Sequence, residues 1–275
     1  MTSDAVTHYH GTPVWGCAGE IHQLAVAGAG AFVSFARMDQ LKASFEHADS
    51  IGFDNGAFSA WKSGLHIDWN TFYRRVETFY TNPKLKFFVI PDVIEGGEAD
   101  NDRLIAEMPL HLRDKAVPVW HLHESIERLV ELCNEWPRVC FGSSGQYAVI
   151  RTNHWHARMK EAFEAIYVTR QFSTKIHGLR MLDGRVLGNY PLHTADSTNL
   201  ACNVPKTREK YPDITTSIET ADYCRGLSEQ DTKRLVLRGR CSILKAAIEK
   251  VTPPSIDAWI NTNFSSEYAE AEAFV

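Results

Sequence analysis

Residues 86–123 read KFFVIPDVIEGGEADNDRLIAEMPLHLRDKAVPVWHLH. Residues 86–91 and 116–120 are short, nearly continuous apolar runs, the pattern of strands buried on both faces. Between them DRLIAEMPLHL, opened by Asp100, carries apolar residues at helical spacing. Strand, helix and strand in this order form a βαβ unit with parallel strands. Each apolar run ends in polar residues: Asp92 after the first, His121 and His123 after the second.

The same rhythm extends in both directions. Further strands are expected at residues 12–15, 31–36, 50–54, 138–142, 175–179 and 192–196. Helices are expected where Asp68 caps WNTFYRRVETFY, where Glu124 starts SIERLVELCNEW and where Asn153 caps HWHARMKEAFEAIYV. A long amphipathic helix over residues 229–251 ends before Pro253 and Pro254. Two connections are thin. Residues 16–30 are rich in glycine and alanine, and residues 181–191 leave room only for a short helix or loop. Eight strands separated mostly by helices predict a single (β/α)8 barrel over residues 1–275 with a C-terminal helical extension. A doubly wound sheet is the rival and fits eight strands less comfortably.

Composition narrows the class. The 275 residues are 44% hydrophobic and 23% charged, which excludes a largely disordered chain, a collagen-like repeat and a disulfide-dense miniprotein. No apolar run approaches a membrane span, and the N-terminal residues lack a signal-peptide pattern. Six scattered cysteines without CxxC read as reduced thiols of a cytoplasmic protein. The net charge of −5 argues against a generic basic coat for nucleic acid. It averages two unlike parts: residues 151–250 hold 17 basic and 11 acidic residues, the remainder 12 and 23. Arg151, Arg158, Lys160, Lys175, Arg180, Arg185, Lys206, Arg208 and Lys210 form a candidate phosphate-facing surface.

In a barrel of this kind chemistry sits at the C-terminal ends of the strands. Asp54, Asp92, His121, the FGSSG run and Asp196 all follow apolar strands. A carboxylate at Asp196 can attack an electrophilic carbon, and Asp54 can exchange a proton with a departing or entering group. Such carboxylate pairs serve glycosyl transfer through an oxocarbenium-like state. Asp92 can accept hydrogen bonds from a heterocycle, and the backbone at Gly142 and Ser143 can approach a flat ligand closely. Phe58, Trp61 and Tyr147 can stack on a base.

At these positions residues 9–203 resemble the tRNA-guanine transglycosylase superfamily, and more closely its smaller phage- and genomic-island-type members that act on DNA. FDNGAF stands where that family has DSGGFQ, whose Asp is the proposed general base; this implicates Asp54. PDVIEG suggests a base-recognising role for Asp92. His121 falls where the tRNA enzymes use a base-binding Gln. FGSSG matches the glycine-bearing base-binding strand, HGLRML resembles the strand after it, and TADSTN places Asp196 at the nucleophile. The resemblance implies cleavage of an N-glycosidic bond in a nucleic acid. Either base exchange with a free 7-deazaguanine or hydrolysis would follow. The chain departs from the family at NGAF for SGGF and at Ser59 for Gln. Only Cys202, Cys224 and Cys241 follow the last strand, without the family's CxCxxC spacing, so the zinc subdomain is expected to be missing and no metal or other cofactor is expected. Loss of that tRNA-docking surface favours DNA over tRNA.

Two rival readings stand beside this one. The pairs His8/His10, His121/His123 and His154/His156 invite an amidohydrolase-like metal site, although His8 and His10 precede the expected first strand and His154 and His156 fall in a helix. A non-catalytic barrel that binds a modified nucleotide is the other, disfavoured because a binder has no evident need for two carboxylates beside an anionic polymer.

Overall fold

A computed structural model describes residues 7–206 and 212–272, with the side chains of 265–272 left aside. Nine parallel strands form one sheet: β1 (His8–Gly11), β2 (Gly30–Ser34), β3 (Ser50–Asp54), β4 (Leu85–Val89), β5 (Ala116–Val117), β6 (Val119–His121), β7 (Arg138–Gly142), β8 (Lys175–Leu179) and β9 (Thr194–Ser197). β1 pairs with both β2 and β9. The outermost members of the ladder are β5 and β6. These two are consecutive in the chain and separated only by Pro118, which has no N–H to give a neighbour. β5 pairs with β4 while β6 pairs with β7, so together they act as one stave. The result is an α/β barrel of the TIM type with eight staves.

Strand alternation divides the core in two. Tyr9, Phe32, Phe87, Val89, Val117, Val119 and Cys140 fill the lumen. Their alternates, such as Ile51, Phe53, Phe88, Val139 and Phe141, belong to the larger core between strands and helices. The lumen is crowded with rings: His177 lies 4.9 Å from Phe87 and 5.2 Å from Phe32, centroid to centroid. A Cβ at Gly52 would fall 2.8 Å from both Phe32 and Phe87, so glycine is the only residue that leaves those rings in place.

The strands expected at 50–54, 138–142 and 175–179 are found with those bounds. The first is not. The chain pairs at His8–Gly11 rather than at residues 12–15. His8 and His10 alternate with the lumen residue Tyr9 and so face outward, where His8 Nε2 meets the Val251 carbonyl at 2.8 Å and His10 Nε2 meets Glu249 Oε1 at 2.9 Å. Partners more than two hundred residues along the chain, Glu249 and Val251, thus make a polar strand tolerable. Val14, in the stretch that looked like a strand, is buried, and the Gln40 side chain bonds both its N–H (2.8 Å) and its carbonyl (2.9 Å) as a neighbouring strand would.

Helix caps also move. Ser125 and Thr152, not Glu124 and Asn153, cap the helices Ile126–Glu135 and Asn153–Phe163, and the helix expected to open at Asp100 spans Glu98–Ala106. Asp68 caps Trp69–Glu77 by accepting from the Asn70 N–H. The thin connection after β1 contains the helix Glu20–Val26, held to the long helix Glu229–Glu249 through Glu20, Arg234 and Arg238. Among the described residues no helix is long and apolar enough to cross a membrane.

Candidate active site

A cavity of about 270 Å³ opens at the C-terminal end of the barrel. Asp54, Phe58, Asp92, His121, Gly142, Ser143 and Asp196 all line it. Five separate staves therefore deliver the residues that the sequence marked. The volume is just below the range of about 300–1,000 Å³ that holds drug-sized ligands, so it suits a single small heterocycle.

Asp196, 4% exposed, lies near the C-terminal end of β9. Its Oδ1 accepts from the Arg180 N–H at 2.9 Å and lies 3.4 Å from His177 Nε2. Arg180 has φ of 60°, a left-handed conformation that is uncommon for a side-chain-bearing residue and that here aims its N–H at the carboxylate. Burial lowers the His177 pKa, against the pull of Asp196, and Nδ1 of His177 meets Thr194 Oγ1 at 2.7 Å. Oδ2 of Asp196 accepts no hydrogen bond among the described residues.

Asp54 is partly buried, and Oδ2 accepts from the Gly56 N–H at 3.1 Å. Its pKa is raised to about 7. Burial contributes most. The nearby Ser34 hydroxyl opposes the shift, and the negative charges of Asp196 and Asp92 add to it.

Asp92 is tied down on both oxygens. Oδ1 accepts from Asn55 Nδ2 at 2.7 Å, and Oδ2 lies 2.9 Å from His121 Nε2. The His121 contact is close but poorly aligned, so both ring nitrogens of this 2% exposed histidine lack a directed hydrogen bond. The residue lines the cavity, with both nitrogens buried in its wall. Gly142, which lines the cavity, also has a second use. A Cβ there would fall 3.0 Å from His121 Nδ1, so the missing side chain makes room for the imidazole. Ser143 Oγ accepts from Trp155 Nε1 at 3.0 Å and keeps its own proton to donate.

Two of the expected stacking residues do not line the cavity. Trp61, 47% exposed, stands beside Phe58 with ring centroids 5.7 Å apart. Tyr147 is buried in the main core and stacks on His154 at 4.4 Å. The basic residues of 151–250 do not form one surface. Arg151 and Arg180 lie on the loops after β7 and β8, and Arg185 in the short helix Gly184–Leu187 that follows β8, all in connections that leave the C-terminal strand ends where the cavity opens. Lys175 begins β8 and lies at the opposite end. Arg158 bonds Glu161 and the Leu122 carbonyl, and Lys160 sits over the Phe264 ring. Arg208 and Lys210 lie outside the described residues.

Sequence reading missed Asn55, Ser34 and Arg37. Asn55 directly follows Asp54, where alternation would turn it away from the site, yet it is buried and donates to both Asp92 and the Ile90 carbonyl. Arg37 lines the cavity after β2, and the Arg180 guanidinium lies 4.2 Å over the Phe58 ring, so two cations flank the opening.

The three HxH pairs have other partners. His8 and His10 belong to β1 itself rather than preceding the first strand, and they face out of the barrel. His123 Nδ1 meets Ser144 Oγ at 2.7 Å, and His156 Nδ1 meets the Tyr190 hydroxyl at 2.7 Å. Among the described residues no three His, Cys, Asp or Glu side chains gather into a set that would hold a metal ion. No protein-family model matches the chain, and no curated protein matches it.

Proposed function

We propose that this barrel cleaves the N-glycosidic bond of a nucleic-acid base, in DNA rather than tRNA. The observation that carries the reading is the pair of carboxylates, Asp54 and Asp196, brought from β3 and β9 to one cavity where the charge of one raises the pKa of the other. Two carboxylates facing one cavity, one of them with a raised pKa, are what glycosyl transfer uses. Asp196 attacks C1′ through a carboxylate oxygen. The bond from C1′ to the base breaks, its electron pair leaves with the base, and Asp54 supplies the proton. A second base, such as a 7-deazaguanine, or a water then attacks C1′, returns a proton to Asp54 and frees Asp196. Asp92, His121 and Ser143 hold the base edge, Phe58 its face, and Arg37 and Arg180 the flanking phosphates.

The test exposes normal and modified DNA, RNA and tRNA to the protein and follows released bases by mass spectrometry, with and without a 7-deazaguanine acceptor. Release without an acceptor means hydrolysis; release only with one means exchange. Asp196→Asn should lower the rate about a thousandfold or more while leaving the fold intact. An Asp196→Asn protein with wild-type turnover would overturn the assignment.

A further inference from the structure

The end of the barrel opposite this site holds a cation that makes no ion pair among the described residues. Arg138 begins β7, and alternation with the lumen residue Cys140 turns its side chain inward. Its guanidinium lies 4.8 Å over the Phe87 ring. Among the described residues it makes neither an ion pair nor a hydrogen bond. The other arginines withdrawn from solvent are bonded. Arg128 meets Glu124 at 2.7 Å and Asp102 at 2.8 Å, Arg158 meets Glu161 at 2.7 Å, and Arg240 donates to Thr215 at 3.0 Å. A guanidinium has five donors, and a charge drawn away from water without a partner is costly. Burial accordingly pulls the Arg138 pKa below its ordinary value.

Arg138 opens onto a cavity of about 570 Å³ that Lys86, Lys115 and Lys175 also line. Lys115 Nζ donates to the Tyr80 carbonyl at 2.6 Å and the Asn82 carbonyl at 3.2 Å, which fixes the ammonium and leaves one N–H free. Lys86 and Lys175 are exposed and make no ion pair among the described residues. Asp114 and Glu135 are the acids of the lining, so four cations face two carboxylates. A planar guanidinium fork flanked by exposed ammonium groups, with cations in excess of acids, suits an oxyanion of multiple charge more than a singly charged carboxylate.

We propose that this cavity binds a small phosphate-bearing anion through Arg138, Lys86 and Lys175, independently of the chemistry at the other end of the barrel. The test titrates the full chain with inorganic phosphate at constant ionic strength and reads thermal unfolding together with the phosphorus NMR linewidth. Wild-type protein should show saturable stabilisation and broadening. Lys86→Ala/Lys175→Ala should weaken the apparent affinity about tenfold or more, and Arg138→Met should remove the response. Both lysines are exposed, so the double variant decides the matter even if Arg138→Met fails to fold. Arg180→Ala, at the opposite end, should leave the response unchanged. A response that does not saturate, that survives the double lysine change, or that disappears in Arg180→Ala overturns the proposal. A single-stranded oligonucleotide should not displace the phosphate; displacement that requires Lys86 and Lys175 would assign the site to a polymer backbone and overturn the small-molecule reading.

Discussion

Asn55 Nδ2 lies 2.7 Å from Asp92 Oδ1 and 2.8 Å from the Ile90 carbonyl, and its own Oδ1 accepts from the Ala57 N–H at 2.7 Å. One buried amide therefore joins the ends of β3 and β4 and holds a site carboxylate in place. Asn55→Ala leaves those partners unsatisfied inside the protein. It should cost about 1–3 kcal/mol of stability in urea denaturation. The turnover number should fall with it, because Asp92 loses its tether. Unchanged stability and turnover would mean that water replaces the amide without loss.

Asp54 ties activity and stability to pH. Its pKa in the folded protein, about 7, lies above the value of about 3.9 expected in the unfolded chain. Between those values the folded state holds a proton that the unfolded state has lost, so stability falls as pH rises from about 4 to about 7 and then levels off. The contribution is at most about 4 kcal/mol. Asp54→Asn should remove this slope and be relatively more stable than wild type at pH 8. Base release in a single turnover should decline as pH rises through about 7, when the acid form is lost. A flat profile in wild type would exclude Asp54 as the proton donor.

Trp61 and Tyr147 should separate cleanly. Trp61 is half exposed beside the cavity, so Trp61→Ala should raise KM about tenfold, the order expected for one lost base stack, with little change in Tm. Tyr147 belongs to the core, so Tyr147→Ala should cost about 3 kcal/mol or more in unfolding free energy. If Tyr147→Ala altered KM alone, the ring would have to reach the substrate after all.

Glu124 is a buried carboxylate with three donors. Oε2 accepts from the His121 N–H at 2.8 Å and Arg128 Nη1 at 2.7 Å, and Oε1 from Asn101 Nδ2 at 2.9 Å. Asn101 in turn accepts from the Val93 N–H at 2.7 Å, so the loops after β4 and β6 are locked together beneath Asp92 and His121. Glu124→Ala leaves Arg128 only Asp102 as a carboxylate partner and strips the His121 N–H and Asn101 of their acceptor, so it should cost about 2–3 kcal/mol. The loss should persist in high salt, since burial shields the pair from screening. A loss that vanished in salt would place the interaction at the surface.

Local pattern in the chain was enough for the architecture and for the carboxylates and histidine of the cavity. Continuous apolar runs such as FFVI and AVPVW report burial on both faces, and helical spacing between them reports the crossovers, so the order of the barrel follows from local pattern. Asp54, Asp92, His121 and Asp196 were legible because a polar residue ending such a run has one place to go in a barrel. The remainder depends on contacts made when the barrel closes. β1 is a strand because Glu249 and Val251, far along the chain, satisfy His10 and His8. Gly142 is small because His121 comes from the neighbouring stave. Asn55 points into the site, Tyr147 turns into the core, and the basic residues divide between the two ends of the barrel. Periodicity records how much of a side chain is buried; which partner satisfies it depends on contacts between residues distant in sequence, and only closure of the barrel brings those together.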